Sequence, residues 1–365
     1  MDTNKKLAVI ILNWNGKKLL EQFLPSIVSC SPEEKADIIV ADNGSTDDSI
    51  AFLRQTFPSV GVLPLGKNYG FAEGYDRAIE AVEAEYIVLL NSDVEVTPGW
   101  LEAPLALLES DEHIACVQPK LLDWKDKGRF EYAGAAGGFI DRFGYPFCRG
   151  RLLGAVEEDR GQYDTEADLL WGSGACLFVR RSIFLKEGGL DAGFFAHQEE
   201  VEMCWRLRCR GYRILFTPRS TVYHVGGATL QASNPHKTFL NFRNSLLMIY
   251  KNLPEAYLRP ALRVRFFLDY VAALKFLLAG QRGDARAVVR ARRAFRDLRK
   301  TYLPVREENL RKALVPVPPE LFKKSLVLSF YLHGRKTFAA LRPPYLKGEG
   351  RLQRSTGNLQ QVGKS

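Results

Sequence analysis

Four polar clusters in this chain carry side chains able to hold a base, a phosphate or a cation, or to move a proton. Asp42 ends an apolar run in IIVADNGSTDD. Its carboxylate can accept a hydrogen bond from a nucleobase imide N–H while Gly44 lets backbone come close. The same residues also spell a turn and a helix cap at Ser45 or Thr46. Asn91-Ser92-Asp93 follows another apolar run. One aspartate there can hold a divalent cation that bridges two phosphates, because hard cations take oxygen ligands and keep several waters; a strand-ending turn is the plainer alternative. HQEEVEMCWR at 197–206 sets Glu199, Glu200 and Glu202 near a helix start. They can favour the helix dipole or hold a general base close to a sugar hydroxyl. His224 ends TVYHVGG. It is either a structural imidazole or, if it closes on Asp93, a second metal ligand.

The elements that must position these groups follow from periodicity. Leu7–Leu12, Ile38–Ala41, Val60–Leu65 and Tyr86–Leu90 are strand-length apolar runs. Helical spacing fills the gaps at 19–28, 50–57 and 72–84. Alternating strands and helices, with strands apolar on both faces, predict a mostly parallel central sheet with helices on both sides, an α/β fold. In such sheets ligands bind at the carboxyl ends of the strands, so NWNG, DNGSTDD, GKNYG and NSD are expected to line one crevice. Beyond residue 96 the pattern predicts a helix over 100–109, hairpins and turns in EYAGAAGGFIDRFGYPF and a strand over 174–180. A helix over 198–210, short strands at 213–216 and 221–224, and a helix over 235–251 complete that half. Two basic amphipathic helices follow at 257–279 and 285–302. The expected division is a catalytic domain over 1–253 (nucleotide half about 1–95, acceptor half about 96–253), a basic helical extension over 254–341, and a disordered tail over 342–365.

Composition narrows the classes. The 365 residues are 46% hydrophobic and 25% charged, which excludes fibrous and wholly disordered chains. Six cysteines lack CxxC spacing, and the N-terminus lacks a signal-peptide pattern, so reduced thiols in the cytoplasm are expected. The charge is uneven: residues 251–365 carry 25 Lys/Arg against 8 Asp/Glu, and residues 1–250 carry 26 against 34. A basic tail on an acidic body points to an anionic partner. Few aromatics interleave these charges and no groove-reading motif is present, so nucleic acid is not the expected partner. The longest apolar run, 266–279, is short for a spanning helix, and an interfacial helix at an anionic membrane surface through about 257–302 is the expectation. Packing on the catalytic domain or dimerisation is the alternative.

Taken in order, NWNG, ADNGSTDDS, GKNYGFAEG, LLNSDVEV, WGSGACLFVRR, EEVEMCWR, VYHVGG and FNFRNSLLMIYKN resemble glycosyltransferase family 2 over about residues 7–253. The FRN…KN helix and basic tail are most similar to the rhamnosyltransferase branch of cell-surface polysaccharide assembly. The resemblance implies a GT-A fold and inverting transfer of rhamnose or another hexose. The donor would be a dTDP or UDP type nucleotide diphosphate-sugar, and the acceptor a hydroxyl of a glycan or polyprenyl-linked glycan at the inner face of the plasma membrane. It implies that Asn13, Trp14, Asp42, Gly44, Asn68, Gly70, Asn91 and Ser92 hold the nucleotide. Asp93 and His224 would bind Mg2+ or Mn2+, and Glu200 would be the base. Trp171 and Gly172 would lie on the acceptor side, with Arg243 and Asn244 beside the diphosphate. The chain departs from the pattern at Asn91, which replaces the first acid of the DxD-like motif. It also has Glu199-Glu200 for the usual Glu-Asp, which makes Glu199 a rival base, and it lacks the QxxRW of processive synthases. A sugar nucleotidyltransferase, for which NWNGKK is a poor phosphate loop, and a catalytically weak scaffold of the same fold are the alternatives.

Overall fold

The computed structural model describes residues 5–226 and 234–341, so the expected disordered tail over 342–365 lies outside the described residues. Strand β1 (Leu7–Asn13) shows why both faces of the main sheet are covered. Leu7, Val9 and Ile11 enter one core and Ala8 and Ile10 the other, all fully buried. Helix α1 (Lys17–Cys30) covers the first face through Leu20, Leu24 and Ile27. After β2 (Ala36–Asp42), α2 (Ser49–Thr56) and β3 (Gly61–Pro64), helix α3 (Gly70–Glu80) covers the second face through Ala72, Tyr75, Ala78 and Ile79. With β4 (Tyr86–Asn91) the strands β4-β1-β2-β3 lie side by side and parallel. Continuous apolar strands buried on two faces are what parallel pairing requires.

The second half makes the sheet mixed. It adds β5 (Val94–Val96), α4 (Glu102–Ser110) and the ten-residue β6 (Ile114–Asp123). A Gly-rich stretch gives β7 (Gly138–Asp141) and β8 (Pro146–Cys148), followed by β9 (Arg151–Leu152), β10 (Ala155–Val156) and β11 (Ala167–Asp168). Strand β12 (Cys176–Arg180) inserts antiparallel between β4 and β6. After α5 (Arg181–Lys186) and α6 (Glu199–Cys209), β13 (Arg213–His224) runs parallel to β6. The two short strands expected at 213–216 and 221–224 are thus one strand. Its register shifts between Thr217 and Thr221, where Pro218 has no N–H to give the ladder. The order is β11-β13-β6-β12-β4-β1-β2-β3, with β5 also on β13. All six cysteines are free thiols.

The basic C-terminal region is α7 (Pro235–Asn252), α8 (Glu255–Leu278), α9 (Arg282–Leu298), α10 (Leu303–Lys312), β14 (Leu321–Phe322) and α11 (Leu326–Tyr331). Packing crosses the expected boundary at 253. Strand β14 joins β7 in parallel to complete a second sheet, β10-β9-β8-β7-β14, and the Phe338 ring packs against Phe139, Phe147 and Tyr163. No described helix is long and apolar enough to cross a membrane.

Candidate active site

Three strands bring their last residues to one edge because of their register. Asn13 pairs with Asp42 across β1 and β2, and Leu12 with Asn91 across β1 and β4. His224 reaches the same edge on β13, opposite Val94 and one residue beyond Asp93. Asp42 is buried. It accepts from Asn13 Nδ2 at 3.1 Å and from the Ser45 N–H at 3.0 Å. Asn13 Oδ1 is buried without a partner. Asn43 Oδ1 accepts from Tyr69 N–H and its Nδ2 donates to Gly70 O, which ties the DNGSTDD loop to KNYG. Asn68 Oδ1 accepts from Gly70 N–H at 2.8 Å. Gly44, with φ +75°, has room for no side chain, because a Cβ would fall 2.5 Å from Lys67 Cα. Trp14 stands half exposed beside this cluster. A Cβ on Gly16 would come within 2.4 Å of Asn13 Oδ1 and 3.9 Å of Ser92 Oγ, so the first and fourth loops are in contact range.

Asp93 and His224 meet directly. His224 Nε2 lies 3.1 Å from Asp93 Oδ1 and 3.4 Å from Asn91 Nδ2. Its other nitrogen lies 3.3 Å from Glu131 Oε1. Burial alone would keep the imidazole neutral, but Asp93 and Glu131 outweigh it and push its pKa up to about 10. Among the described residues no group of three His, Cys, Asp or Glu comes together as a metal cage. The pair nonetheless suits a cation held mostly by phosphate and water. Its 3.1 Å separation is close to that of neighbouring ligands around an ion with ~2.1 Å bonds. Glu131 is a residue the sequence did not single out. It sits in the turn-rich EYAG segment, and a carboxylate behind a ligating histidine fixes that ring's orientation.

The glutamates of α6 separate by environment. Glu202 is fully buried. Burial raises its pKa, but Arg206, Lys251 and Asn252 more than reverse this and hold it at about 2. It is a structural ion pair. Glu200 is half buried beside Gly174, where an added Cβ would be 3.7 Å from Glu200 Cγ. The neighbouring Ala175 carbonyl accepts the Asn91 N–H at 3.0 Å, so Glu200 adjoins the strand end that carries Asn91. Burial raises the Glu200 pKa, while backbone N–H groups of Glu200, Val201 and Gly174 pull it part of the way back. Its Oε2 has no partner. Glu199 is more deeply buried, and burial together with the Glu200 charge pushes its pKa well above the carboxylate range.

Arg243 and Asn244, expected beside the diphosphate, bind the backbone ahead of α6. Asn244 Nδ2 donates to Phe194 O, Ala196 O and His197 O at 3.0, 2.9 and 2.7 Å, and Arg243 Nη2 to Gly193 O and Phe194 O. This loop needs holding: Phe195, His197 and Gln198 all have positive φ, which side chains other than glycine adopt at a cost. The Phe71 N–H also binds Phe195 O at 2.7 Å, and Gly70 leaves space for the Phe195 ring. His197 Nε2 is buried without a partner, and burial, with Lys237 and His236 nearby, lowers its pKa to about 4. Replacing Asn244 by Ala is expected to lower stability by about 2–3 kcal/mol and turnover by about tenfold or more through a loosened glutamate helix start. Urea unfolding and steady-state kinetics check this; an unchanged rate would mean the loop needs no clamp. Trp171, expected on the acceptor side, is buried against β7. Its indole N–H donates to Phe139 O at 2.9 Å and its ring lies where a Gly138 Cβ would be. Gly172 gives space to Leu177.

Residues 8–166 match the family model for Glycosyl transferase family 2. The chain carries a family 2 glycosyltransferase domain. It is 28% identical over 236 residues to the N-acetylglucosaminyl-diphospho-decaprenol L-rhamnosyltransferase of Mycobacterium tuberculosis, covering 60% of this chain and 75% of the relative. It is 26% identical over 225 residues to rhamnosyltransferase WbbL of Escherichia coli, covering 59% and 82%. Among solved structures, GalNAc-T7 with UDP, GalNAc and Mn2+ aligns with a TM-score of 0.53 at 17% identity, over 69% of this chain and 48% of that one. Residues 1–349 of Staphylococcus aureus TarS align at 0.50 and 16%, over 90% and 92%. These likenesses show the fold, which in this glycosyltransferase is GT-A.

Proposed function

We propose that the enzyme transfers a hexose, with rhamnose the first candidate, from a nucleotide diphosphate-sugar to a hydroxyl of a polyprenyl-linked glycan, with inversion at the anomeric carbon. The observation that carries the reading is an unpartnered Glu200 carboxylate oxygen next to the strand end that holds Asn91, Asp93 and His224. The names of the M. tuberculosis and E. coli relatives support the sugar, and the first also supports the acceptor.

In this reading Asn13 and Asp42 hold the base and ribose, with Trp14 over them, while Gly44, Asn68, Gly70 and Ser92 shape the loops around the nucleotide. Asp93 and His224 would hold Mg2+ or Mn2+, which neutralises charge growing on the leaving diphosphate. Glu200 accepts the acceptor hydroxyl's proton as that oxygen attacks the anomeric carbon from the face opposite the diphosphate, and the C–O bond to the diphosphate breaks. Glu199, its pKa pushed up by burial and by its neighbour's charge, is the poorer base. Holding both substrates in line contributes at least as much as proton transfer. The enzyme would work in the cytoplasm, peripheral to the inner face of the membrane.

The test is a thermal-shift panel of dTDP, UDP and GDP, alone and as sugars, with Mn2+, Mg2+ or EDTA. A ligand at ~100 times its Kd adds about 2.7 kcal/mol of stability. Stabilisation by dTDP or UDP that EDTA removes is expected. No response to any nucleotide would overturn the reading in favour of a scaffold.

A further inference from the structure

Helix α8 is built inside out. Its inward face carries charge: Arg265 and Asp269 are both buried and bonded to each other at 3.0 Å. Arg265 also donates to Ser245 Oγ and Phe143 O, and Arg292 of α9 completes the cluster. Its outward face carries Phe267, Val271, Leu274 and Leu278, at helical spacing and 68%, 63%, 54% and 80% exposed. A buried ion pair set among Leu258, Ala261 and Ala273, with an apolar stripe left outside, departs from the pattern of a water-facing surface helix. An exposed stripe of this kind marks a surface that meets an apolar partner.

The flank of the stripe says which partner. An open groove joins Leu274 and Leu277 to Arg282, Arg286, Arg290 and Arg293 of α9. These arginines recur every three or four residues on one exposed face. The carboxylate partners in this helix belong instead to Arg292 and Arg296. An apolar ridge bordered by arginines with no carboxylate partner among the described residues, Arg290 lying over the Phe239 ring, fits the boundary between acyl chains and anionic headgroups. A second copy of the chain would bring four more arginines to the same seam.

We propose that α8 and α9 form the face by which this enzyme docks on an anionic bilayer, Phe267, Val271, Leu274 and Leu278 entering the acyl boundary and Arg282, Arg286 and Arg293 meeting headgroup phosphates. The inference deepens the reading above, and its purpose rests on a lipid-borne acceptor. Docking would keep a chain with no spanning helix among its described residues at the membrane that carries the acceptor.

The experiment is co-sedimentation of the full chain with phosphatidylcholine vesicles, with and without about a third phosphatidylglycerol. Wild type is expected to pellet with the anionic vesicles and far less with the neutral ones. Each basic residue near the surface is worth about fivefold in partitioning, the equivalent of about 1 kcal/mol. Arg286→Glu/Arg293→Glu should therefore weaken binding at least about 25-fold, and Phe267→Ser/Leu274→Ser by more than tenfold. Both variants should keep the melting temperature and turnover on a water-soluble acceptor. Wild type remaining in the supernatant, or variants that pellet as well as wild type, overturns the proposal. Sedimentation velocity showing a dimer that Phe267→Ser/Leu274→Ser dissociates, without vesicle binding, overturns it in favour of a subunit interface. Vesicle binding is read without turnover, so its failure and that of the transfer reading are distinct results.

Discussion

Glu200→Gln is expected to lower turnover by about 10²–10⁴-fold while nucleotide stabilisation persists. The amide keeps the shape and the acceptor oxygen facing the Gly174 backbone, so α6 and its start should stay in place. What it loses is the capacity to take a proton. The pH profile adds a second readout. Burial raises the Glu200 pKa, and a base works only when ionised. The wild-type rate should therefore fall as pH drops through a value above the ordinary glutamate range, and that acid limb should vanish from the residual activity of the variant. Glu199→Gln should retain most of the rate, because burial and its neighbour's charge both disfavour the ionised form of Glu199. A nearly normal rate in Glu200→Gln with collapse in Glu199→Gln would exchange the two roles.

Asp93→Ala should abolish most turnover, by roughly 10²–10³-fold for a lost charge-neutralising site worth several kcal/mol. It should also remove the EDTA-sensitive part of nucleotide stabilisation, which Glu200→Gln leaves alone. The fold should survive, since Asp93 is held in place by backbone: its carbonyl accepts the Val225 N–H at 3.1 Å, and β5, which begins at the next residue, pairs with β13. The variant leaves His224 with Glu131 as its remaining acidic neighbour, so the imidazole should titrate below the wild-type value. Proton NMR of the His224 ring measures that shift. Unchanged nucleotide binding and an unchanged EDTA effect in Asp93→Ala would move the cation elsewhere.

The first ninety residues were legible because their signals are local. Unbroken apolar runs in LAVIIL and IIVA and the polar loops after them place Asn13, Asp42 and Asn91 on one edge with no long-range knowledge. Strand β6 was not legible, since Gln118, Pro119 and Lys120 interrupt its apolar run. In the fold Gln118 is buried as a connector, donating to Gly134 O and accepting the Ser173 N–H. Such a role depends on partners far away in sequence. Glu131 and the loop-clamping role of Asn244 were missed for the same reason: each is defined by what it meets across the molecule. Trp171 shows the converse. The resemblance puts it on the acceptor side, while its burial and its bond to Phe139 O are visible only in the fold.

Strand β14 bears on how this protein is made. Leu321 pairs with Ile140 and Phe322 with Asp141. During synthesis the βα units of the first ninety residues can condense as they emerge, but the edge of β7 must wait for β14. Until then an open strand edge and the Phe139 and Phe147 rings stay uncovered, the surfaces on which chains associate wrongly. A chain shortened near residue 253 would be arrested at that stage, and its solubility would suffer before its chemistry did.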